Sequence, residues 1–223
     1  MNPSTDQHLP TYESRVRIGF SGKDAWRDAP AAFDGHTLRI EGHPVMEDWE
    51  DGYMRELADI ASANGGTVLE VGFGMGLAAR YLQESGAAKH IVIEANREVY
   101  GRLLTFADAA RVPVEPHLGF WEDIAPTLPA ASVSGILFDT YPLAENEIHR
   151  NHFPFFAEAY RLLAPGGILT YYSDEATEFS EAHRDALWTA GFRSIGKRIC
   201  PVLPPEGCEY WTERTLLAPI VTK

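Results

Sequence analysis

The chain has 223 residues, a length that favours one domain with at most a small addition. Its 19 Lys and Arg stand against 32 Asp and Glu, and the net charge of −13 argues against nucleic acid or an anionic membrane as the main partner. Apolar runs are too short to span a bilayer, and the first residues lack the pattern of a signal peptide. Two cysteines, Cys200 and Cys208, make no disulfide framework, so the expected compartment is the cytoplasm.

The N-terminal part differs in composition from the rest. Residues 1–44 are polar and interrupted by proline and glycine, which predicts an irregular arm. A lid over a pocket and a tail packed on the surface are both compatible with this arm. Residues 45–63 carry apolar side chains at spacings of three and four, which predicts an amphipathic helix. We therefore divide the chain into an arm, 1–44, and one domain, 45–223.

A glycine-rich turn follows the first predicted strand, residues 67–71. Gly72, Gly74 and Gly76 occupy alternate positions, and a helical pattern begins at Leu77. Strand, glycine turn and helix open nucleotide-binding α/β folds, where the absence of a Cβ lets a ligand approach the backbone. A turn without any ligand is the alternative interpretation.

The spacing of the glycines in the turn indicates which class of ligand it suits. G-x-G-x-G is neither the G-x-G-x-x-G of dinucleotide enzymes nor a P-loop, so a dehydrogenase is the least expected function. Glu70, just before the turn, would repel a pyrophosphate but suits a cationic ligand such as S-adenosylmethionine, which carries a sulfonium and an ammonium.

Strand and helix patterns alternate through the rest of the chain. They predict a Rossmann-like α/β fold with a mostly parallel sheet and an antiparallel terminal hairpin. Further helices are expected at 77–86, 98–110, 153–163 and 178–190. The remaining strands are expected at 90–94, 112–115, 134–139, 168–172, 192–202 and 210–219.

Three acids end predicted parallel strands or follow them directly. Glu70, Glu94 and Asp139 should therefore face one crevice beyond the carboxyl ends of the sheet. Glu94, at the end of the second strand, has the position that usually holds a ribose diol. In a loop further along, an aromatic side chain and an acid, Trp121 and Glu122, are placed to meet an adenine.

Histidines offer no metal site. His149 and His152 are three residues apart on a predicted helix. A metal site needs three or four converging ligands, so we expect these histidines to be exposed and no metal to be bound.

Several blocks of sequence resemble guanidinoacetate N-methyltransferase, over a region from about Trp26 to Lys223. The blocks that carry the resemblance are residues 45–50 (VMEDWE), 68–75 (VLEVGFGM), 121–129 (WEDIAPTLP), 135–143 (GILFDTYPL) and 165–171 (PGGILTY). The resemblance implies a seven-stranded class I methyltransferase fold, with S-adenosyl-L-methionine as cofactor and S-adenosyl-L-homocysteine as product.

The resemblance also implies a set of site residues. Residues 73–78 would line the methionine end of the cofactor, Glu94 would hold the ribose, and Trp121 and Glu122 would meet the adenine. The full set expected at the cofactor is Trp26, Met46, Met54, Glu70, Gly72, Phe73, Gly74, Met75, Gly76, Leu77, Ala78, Glu94, Ala95, Asn96, Trp121, Glu122 and Asp139.

Two of the family's guanidine-binding carboxylates match Glu50 and Asp139, which become the predicted catalytic residues. A guanidinium arrives protonated because its pKa exceeds 12. Beside a sulfonium about 5 Å away it would feel a repulsion of roughly 3 kcal/mol at an effective dielectric of 20. Paired carboxylates offset that repulsion, and we expect Asp139 to take the proton while Glu50 orients the opposite edge.

The substrate tail is where the sequence departs from the family. Where the family has Leu and Thr near the substrate carboxylate, this chain has Asp174 and Glu175. Two acids suit an α-ammonium, which favours L-arginine or an arginine-derived metabolite over guanidinoacetate. The expected substrate contacts are Met46, Glu50, Asp139, Thr140, Tyr141, Asp174 and Glu175.

Other functions stay open at this point. The related fungal arginine δ-N-methyltransferases modify arginine within a protein, and guanidinoacetate itself would give creatine. A non-catalytic protein that binds S-adenosylmethionine is a third possibility, although the presence of both Glu50 and Asp139 argues against it. The sequence is also compatible with a homodimer.

Overall fold

The N-terminal region contains more regular secondary structure than the sequence predicted. A computed structural model describes residues 15–223. Helix α1 (Lys23–Asp28) is followed by a small antiparallel sheet of β1 (Ala31–Phe33), β2 (Thr37–Ile40) and β3 (His43–Glu47). The prediction of an irregular arm is therefore wrong over residues 23–44, because glycines at positive φ make hairpin turns there and Leu38 and Ile40 are buried.

The next predicted helix begins later than expected. Residues 45–47 pair with β2, and a single 3₁₀ turn (Asp48–Glu50) separates them from helix α2 (Asp51–Ser62). The side chains of Glu47 and Glu50 each accept a hydrogen bond from the other residue's backbone N–H, forming a capping box. This turn places Glu50 at the start of α2.

The central sheet has seven strands in the order β6-β5-β4-β7-β8-β10-β9, and only β10 runs antiparallel to its neighbours. The prediction of a seven-stranded, mostly parallel sheet with an antiparallel terminal hairpin is confirmed. The strands are β4 (Gly66–Val71), β5 (Ala87–Glu94), β6 (Val114–Leu118), β7 (Val133–Phe138), β8 (Leu163–Tyr171), β9 (Ser194–Pro201) and β10 (Thr215–Thr222).

Helices cover both faces of this sheet and bury two hydrophobic layers. One layer contains α2 with helices α3 (Leu77–Glu84) and α4 (Arg97–Ala109). The other contains helices α6 (Phe155–Leu162) and α7 (Glu181–Ala190), which follow the short α5 (Trp121–Ile124). Val68 faces the first layer and Leu69 the second, as the two-residue period of a strand requires.

Several boundaries differ from the sequence prediction. Residues 121–123 form a short helix rather than a loop, and the Pro-Gly-Gly of residues 165–167 lies inside β8 rather than ending a helix. The last strand, predicted at 210–219, is Thr215–Thr222. Residues 210–214 instead form a loop that returns toward α2. His149 and His152 lie in turns rather than on a helix, and both are largely buried.

Residues 15–223 lack two kinds of feature. No helix there combines the length and apolar character needed to cross a membrane. The same residues contain no group of three or more His, Cys, Asp or Glu side chains arranged to hold a metal ion.

Candidate active site

A cavity of about 310 Å³ lies beyond the carboxyl ends of β4, β5 and β7. The small N-terminal sheet and α1 form its other wall through Trp26, Leu38 and Met46. We call the part around Gly72, Gly74 and Glu94 the glycine-loop end. The part lined by Glu50, Asp139 and Asp174 is called the acid end.

Gly72 brings the ends of two strands into contact. Its φ is +91°, and a Cβ built on it would lie 1.9 Å from the carbonyl oxygen of Asp139. The backbone N–H of Asp139 donates to the carbonyl of Val71 at 2.9 Å. A side chain at position 72 would therefore push Asp139 away from the loop, so Gly72 fixes how close the two ends of the cavity come.

Met46 packs on the glycine turn from the N-terminal sheet. Its Sδ lies 3.3 Å from the backbone nitrogen of Met75, which donates a weak hydrogen bond. A Cβ on Gly74, whose φ is +53°, would come within 3.0 Å of that sulfur. The small sheet is thus seated directly against the loop, and Met46 lines the cavity between them.

Glu94 ties the glycine turn to the end of β5. Its Oε2 accepts from the Phe73 backbone at 2.9 Å, and its Oε1 accepts from the Asn96 backbone at 2.7 Å. Burial nevertheless raises the pKa of this carboxyl, which is 7% exposed. Each oxygen can accept a second hydrogen bond, so Glu94 can receive the hydroxyls of a ligand in the cavity.

Glu50 is a buried acid with its orientation fixed. It is 2% exposed, and its Oε1 accepts from the backbone N–H of Glu47 at 2.8 Å and from the hydroxyl of Tyr210. Burial, reinforced by the charge of Asp139, raises the pKa of Glu50 to about 8. The two hydrogen bonds oppose this shift without cancelling it.

Asp139 lies across the acid end, directly after β7. Burial raises its pKa to about 7, and the charges of Asp174 and Glu70 act in the same direction. Two acids whose pKa values lie near neutrality therefore share one cavity. Such a pair is costly to ionise when the cavity holds no cation, and a cation entering it would favour the ionised form of both.

Asp174 is a third acid with the opposite behaviour. Its backbone has a φ of +54°, and its Oδ1 lies 3.4 Å from Nδ1 of His149. Burial acts to raise its pKa, but the contact with His149 and, to a lesser degree, the charge of Arg15 outweigh burial and hold the pKa of Asp174 at about 2. Asp174 is therefore an anion at neutral pH.

Comparison with known proteins gives the family. The profile of guanidinoacetate N-methyltransferase matches residues 15–223, which is nearly the whole chain. The chain belongs to the guanidinoacetate N-methyltransferase family.

Similar proteins in fungi carry another name. Protein arginine N-methyltransferase 2 of Yarrowia lipolytica is 31% identical over 171 residues, covering 72% of this chain and 35% of that protein. Its namesake in Aspergillus oryzae is 35% identical over 100 residues, covering 44% of this chain and 24% of that protein. This family member thus matches about a third or less of the length of these relatives.

Solved structures share the fold at low sequence identity. A spermidine synthase in complex with the transition-state analogue AdoDATO has a TM-score of 0.63 at 13% identity, covering 84% of this chain and 66% of that one. M. jannaschii TYW2 in complex with AdoMet has a TM-score of 0.58 at 12% identity, covering 88% of this chain and 85% of that one. The Rossmann-like class I methyltransferase fold predicted for this guanidinoacetate N-methyltransferase family member is confirmed.

Most residues predicted from the sequence do line the cavity. They come from the N-terminal sheet, α1, the strand ends and the segments after β7 and β8. Those brought together are Trp26, Met46, Glu50, Gly72, Gly74, Glu94, Ala95, Trp121, Glu122, Asp139, Thr140, Tyr141 and Asp174.

Other predicted cofactor contacts lie beside the cavity. Met54 is fully buried in the layer under α2, and Leu77 and Ala78 are buried at the start of α3. Asn96 caps α4 by accepting from two backbone N–H groups, and its amide donates to the carbonyls of Trp26 and Ala29. Its side chain thus anchors α1 to the domain.

Three positions of the glycine turn, Phe73, Met75 and Gly76, are also not among the lining residues. A Cβ on Gly76 would meet the ring of Phe73 at 2.9 Å, so these two residues pack on each other.

Glu70 does not line the cavity. Its side chain is 1% exposed, and Oε2 lies 2.8 Å from Nε2 of His90 on the neighbouring strand. Its charge is one of those that raise the pKa of Asp139. We therefore correct the idea that Glu70 meets a cationic ligand directly: it acts on the acid end through space.

Glu175 is also turned away from the acid end. Its Oε1 accepts from the backbone N–H of Ser180 at 3.0 Å and lies 3.5 Å from Nδ1 of His183. The expectation that two adjacent acids face the substrate tail is corrected, since of this pair Asp174 lines the cavity and Glu175 supports the start of α7.

The sequence analysis missed several lining residues, and three of them contribute a charge or a hydrogen bond at the site. Tyr210 contacts Glu50 from a loop 160 residues further along the chain, and no local sequence pattern predicts such a contact. Lys23 pairs with Glu122, with Nζ 2.9 Å from Oε1, at the opposite end. Arg15 is a buried cation contributed by the segment before α1. A basic residue in an acidic chain was the available signal for the last two.

Proposed function

We propose that this chain is an S-adenosylmethionine-dependent N-methyltransferase that acts on the guanidino group of a small molecule with an amino-acid tail. The observation that carries the proposal is the pair of buried acids, Glu50 and Asp139, in one cavity beside the glycine turn. Family membership supports the same assignment.

The glycine-loop end fits the cofactor. Gly72 and Gly74 present backbone without side chains, and Glu94 keeps acceptor capacity for a ribose diol. Trp121 supplies an aromatic surface held edge-on against Phe155 at 5.1 Å between ring centroids. When bound, S-adenosylmethionine supplies an activated methyl group on a positively charged sulfur.

The acid end fits a guanidinium. Its planar fork can hydrogen-bond to two carboxylates at once, and each carboxylate offsets part of its charge. Glu50, whose oxygen is already held by two donors, suits the orienting role. Asp139, with a pKa near the working pH, suits acceptance of the proton that the attacking nitrogen must lose.

The substrate tail is assigned from Asp174. This acid is ionised at neutral pH and lines the same cavity, so it favours a tail that carries an ammonium. L-Arginine or an arginine-derived metabolite meets that requirement. Guanidinoacetate, which has a carboxylate and no ammonium, does so less well.

A second candidate is methylation of arginine within a protein. The similarity to proteins named protein arginine N-methyltransferase 2 favours it. An arginine inside a polypeptide has no free α-ammonium, so it would not supply the group that this proposal assigns to Asp174.

The experiment is a substrate panel with purified protein and S-adenosylmethionine, read by mass spectrometry. L-Arginine, guanidinoacetate and an arginine-containing peptide are compared at equal concentration. We expect a monomethylated product and the highest kcat/KM with L-arginine. Preference for guanidinoacetate or for the peptide would refute the tail assignment, and cofactor binding without any methylated product would refute the enzyme.

A further inference from the structure

Arg15 places an unusual charge in the cavity. The side chain lines the cavity and is 7% exposed, and its Nε and Nη1 find no hydrogen-bond acceptor among residues 15–223. Its Cζ lies 5.0 Å from the centroid of the Tyr141 ring. A buried guanidinium with unmade hydrogen bonds is costly, because charged groups leave water only when they are paired.

The surroundings hold Arg15 in place through Tyr141 and leave its Nε and Nη1 without an acceptor among the described residues. Tyr141 stacks on Trp26 at 5.2 Å between ring centroids, and its hydroxyl lies 3.0 Å from Nδ1 of His43. The ring under Arg15 is therefore fixed by two neighbours. Cation–π contact with this ring neutralises none of the N–H donors of the guanidinium, which remain available to an acceptor.

The cavity is lined by charged side chains of both signs. Glu50 and Asp139 provide the place for a cationic headgroup, and Asp174 adds an anion that is ionised at neutral pH. Arg15 is a positive charge that lines the same cavity. A ligand complementary to this set carries a guanidinium at one end and both an ammonium and an anion at the other.

We propose that Arg15 binds the carboxylate of the substrate, so that Arg15 and Asp174 together recognise the charged end of a free α-amino acid. This inference rests on the proposed function and names its substrate class. A guanidinium binds a carboxylate through two parallel hydrogen bonds along one of its edges, and each of the two free edges of Arg15 carries one unpaired nitrogen, Nε or Nη1. Arginine in a polypeptide lacks the free carboxylate, and guanidinoacetate lacks the ammonium.

The test compares L-arginine with agmatine, the same molecule without its carboxylate. Wild-type protein and the variants Arg15→Gln and Arg15→Lys are measured with both, by steady-state kinetics and by calorimetric binding in the presence of S-adenosylhomocysteine. Arg17→Gln is the matched control, because Arg17 lies two residues further along the chain and is exposed. Thermal denaturation establishes that each variant is folded.

We expect Arg15→Gln to raise KM and Kd for L-arginine by about 10- to 100-fold, the range of a lost charge-assisted pair, with kcat changed much less. Agmatine should bind about equally to both proteins, and Arg15→Lys should restore part of the affinity for L-arginine. Arg17→Gln should behave as wild type.

Three results would overturn the inference. Equal weakening of both substrates in Arg15→Gln would mean that Arg15 only supports the fold. Tighter binding of both would mean that Arg15 competes for the guanidinium position. Equal affinity of wild-type protein for L-arginine and agmatine would exclude a contact between Arg15 and the substrate carboxylate. It would leave the methyltransferase proposal intact. Failure of the wild-type protein to methylate any guanidino compound would instead defeat the proposed function.

Discussion

The two ends of the cavity are built in different ways. At the glycine-loop end, the turn after β4 and the end of the neighbouring strand β5 make the site, and Glu94 already accepts hydrogen bonds from the backbone around it. At the acid end, Glu50, Asp139 and Asp174 come from three separate parts of the chain, and two of them have pKa values raised toward neutrality. At the acid end burial and the charges of neighbouring acids raise the pKa values of Glu50 and Asp139, whereas Glu94 at the glycine-loop end is surrounded by backbone donors.

This difference indicates where binding energy is used. An acid that already accepts hydrogen bonds from the backbone can bind a ligand without a change in its own charge state. An end made of buried, close acids gains most when a cation enters, because the cation removes the repulsion and the desolvation cost together. Substrate recognition and protonation should therefore be coupled at the acid end and nearly independent at the glycine-loop end.

The largest effect is expected from Asp139→Asn, which keeps the shape and removes the proton acceptor. We expect kcat to fall by about 100- to 10,000-fold, the range of general-base catalysis, with the fold retained or slightly more stable. Asp123→Asn, an exposed acid-to-amide change, is the control. Turnover within a few-fold of wild type in Asp139→Asn would exclude the role given to Asp139.

Gly72→Ala tests the junction between the two ends. The added Cβ would lie 1.9 Å from the Asp139 carbonyl oxygen, so we expect a loss of about 2 kcal/mol or more in the free energy of unfolding, together with weaker cofactor binding. In Gly101→Ala, within α4, the Cβ meets nothing within 4 Å. That variant should be more stable by about 0.5–1 kcal/mol. Similar denaturation curves for the two variants would contradict the close approach.

Asp174→Asn and Glu175→Gln separate two adjacent acids. We expect the first to raise KM for L-arginine about tenfold, because Asp174 lines the cavity. The second should change KM by less than about threefold, since Glu175 faces Ser180 and His183. Steady-state kinetics decides the matter, and a larger effect in Glu175→Gln would invalidate our placement of the tail.

A smaller effect is expected from Tyr210→Phe. The hydroxyl of Tyr210 stabilises the ionised form of Glu50, so its removal should raise the pKa of Glu50 further. The acidic limb of the kcat/KM profile should move to higher pH, and activity at pH 7 should fall several-fold. Tyr160→Phe, on the opposite face of the sheet beside Phe192, should leave the profile unchanged.

The predictions for the two ends of the cavity rested on different kinds of sequence signal. Glycine spacing and a terminal acid are local signals, and they located Gly72, Gly74 and Glu94. Asp139 followed from its place after a parallel strand, but Glu50 was recognised through family resemblance, since its position at a helix start has an ordinary explanation. Tyr210 and Arg15 depend on tertiary contacts that no spacing encodes. Glu175 was misplaced because neighbouring residues after a strand point in different directions.

Binding of a guanidinium should make the two buried acids release protons. Calorimetry of L-arginine binding to the complex with S-adenosylhomocysteine, at pH 7.5 in two buffers of different ionisation enthalpy, measures this release directly. Carboxyls with raised pKa values hold protons in the free protein and lose them when the cation binds, so affinity should rise between about pH 6 and 8. Net proton release that disappears in the Glu50→Gln, Asp139→Asn double variant is the predicted result. If L-arginine binds wild-type protein with the same heat in both buffers, no net protons are released, and the two acids do not bind the guanidinium in the way proposed.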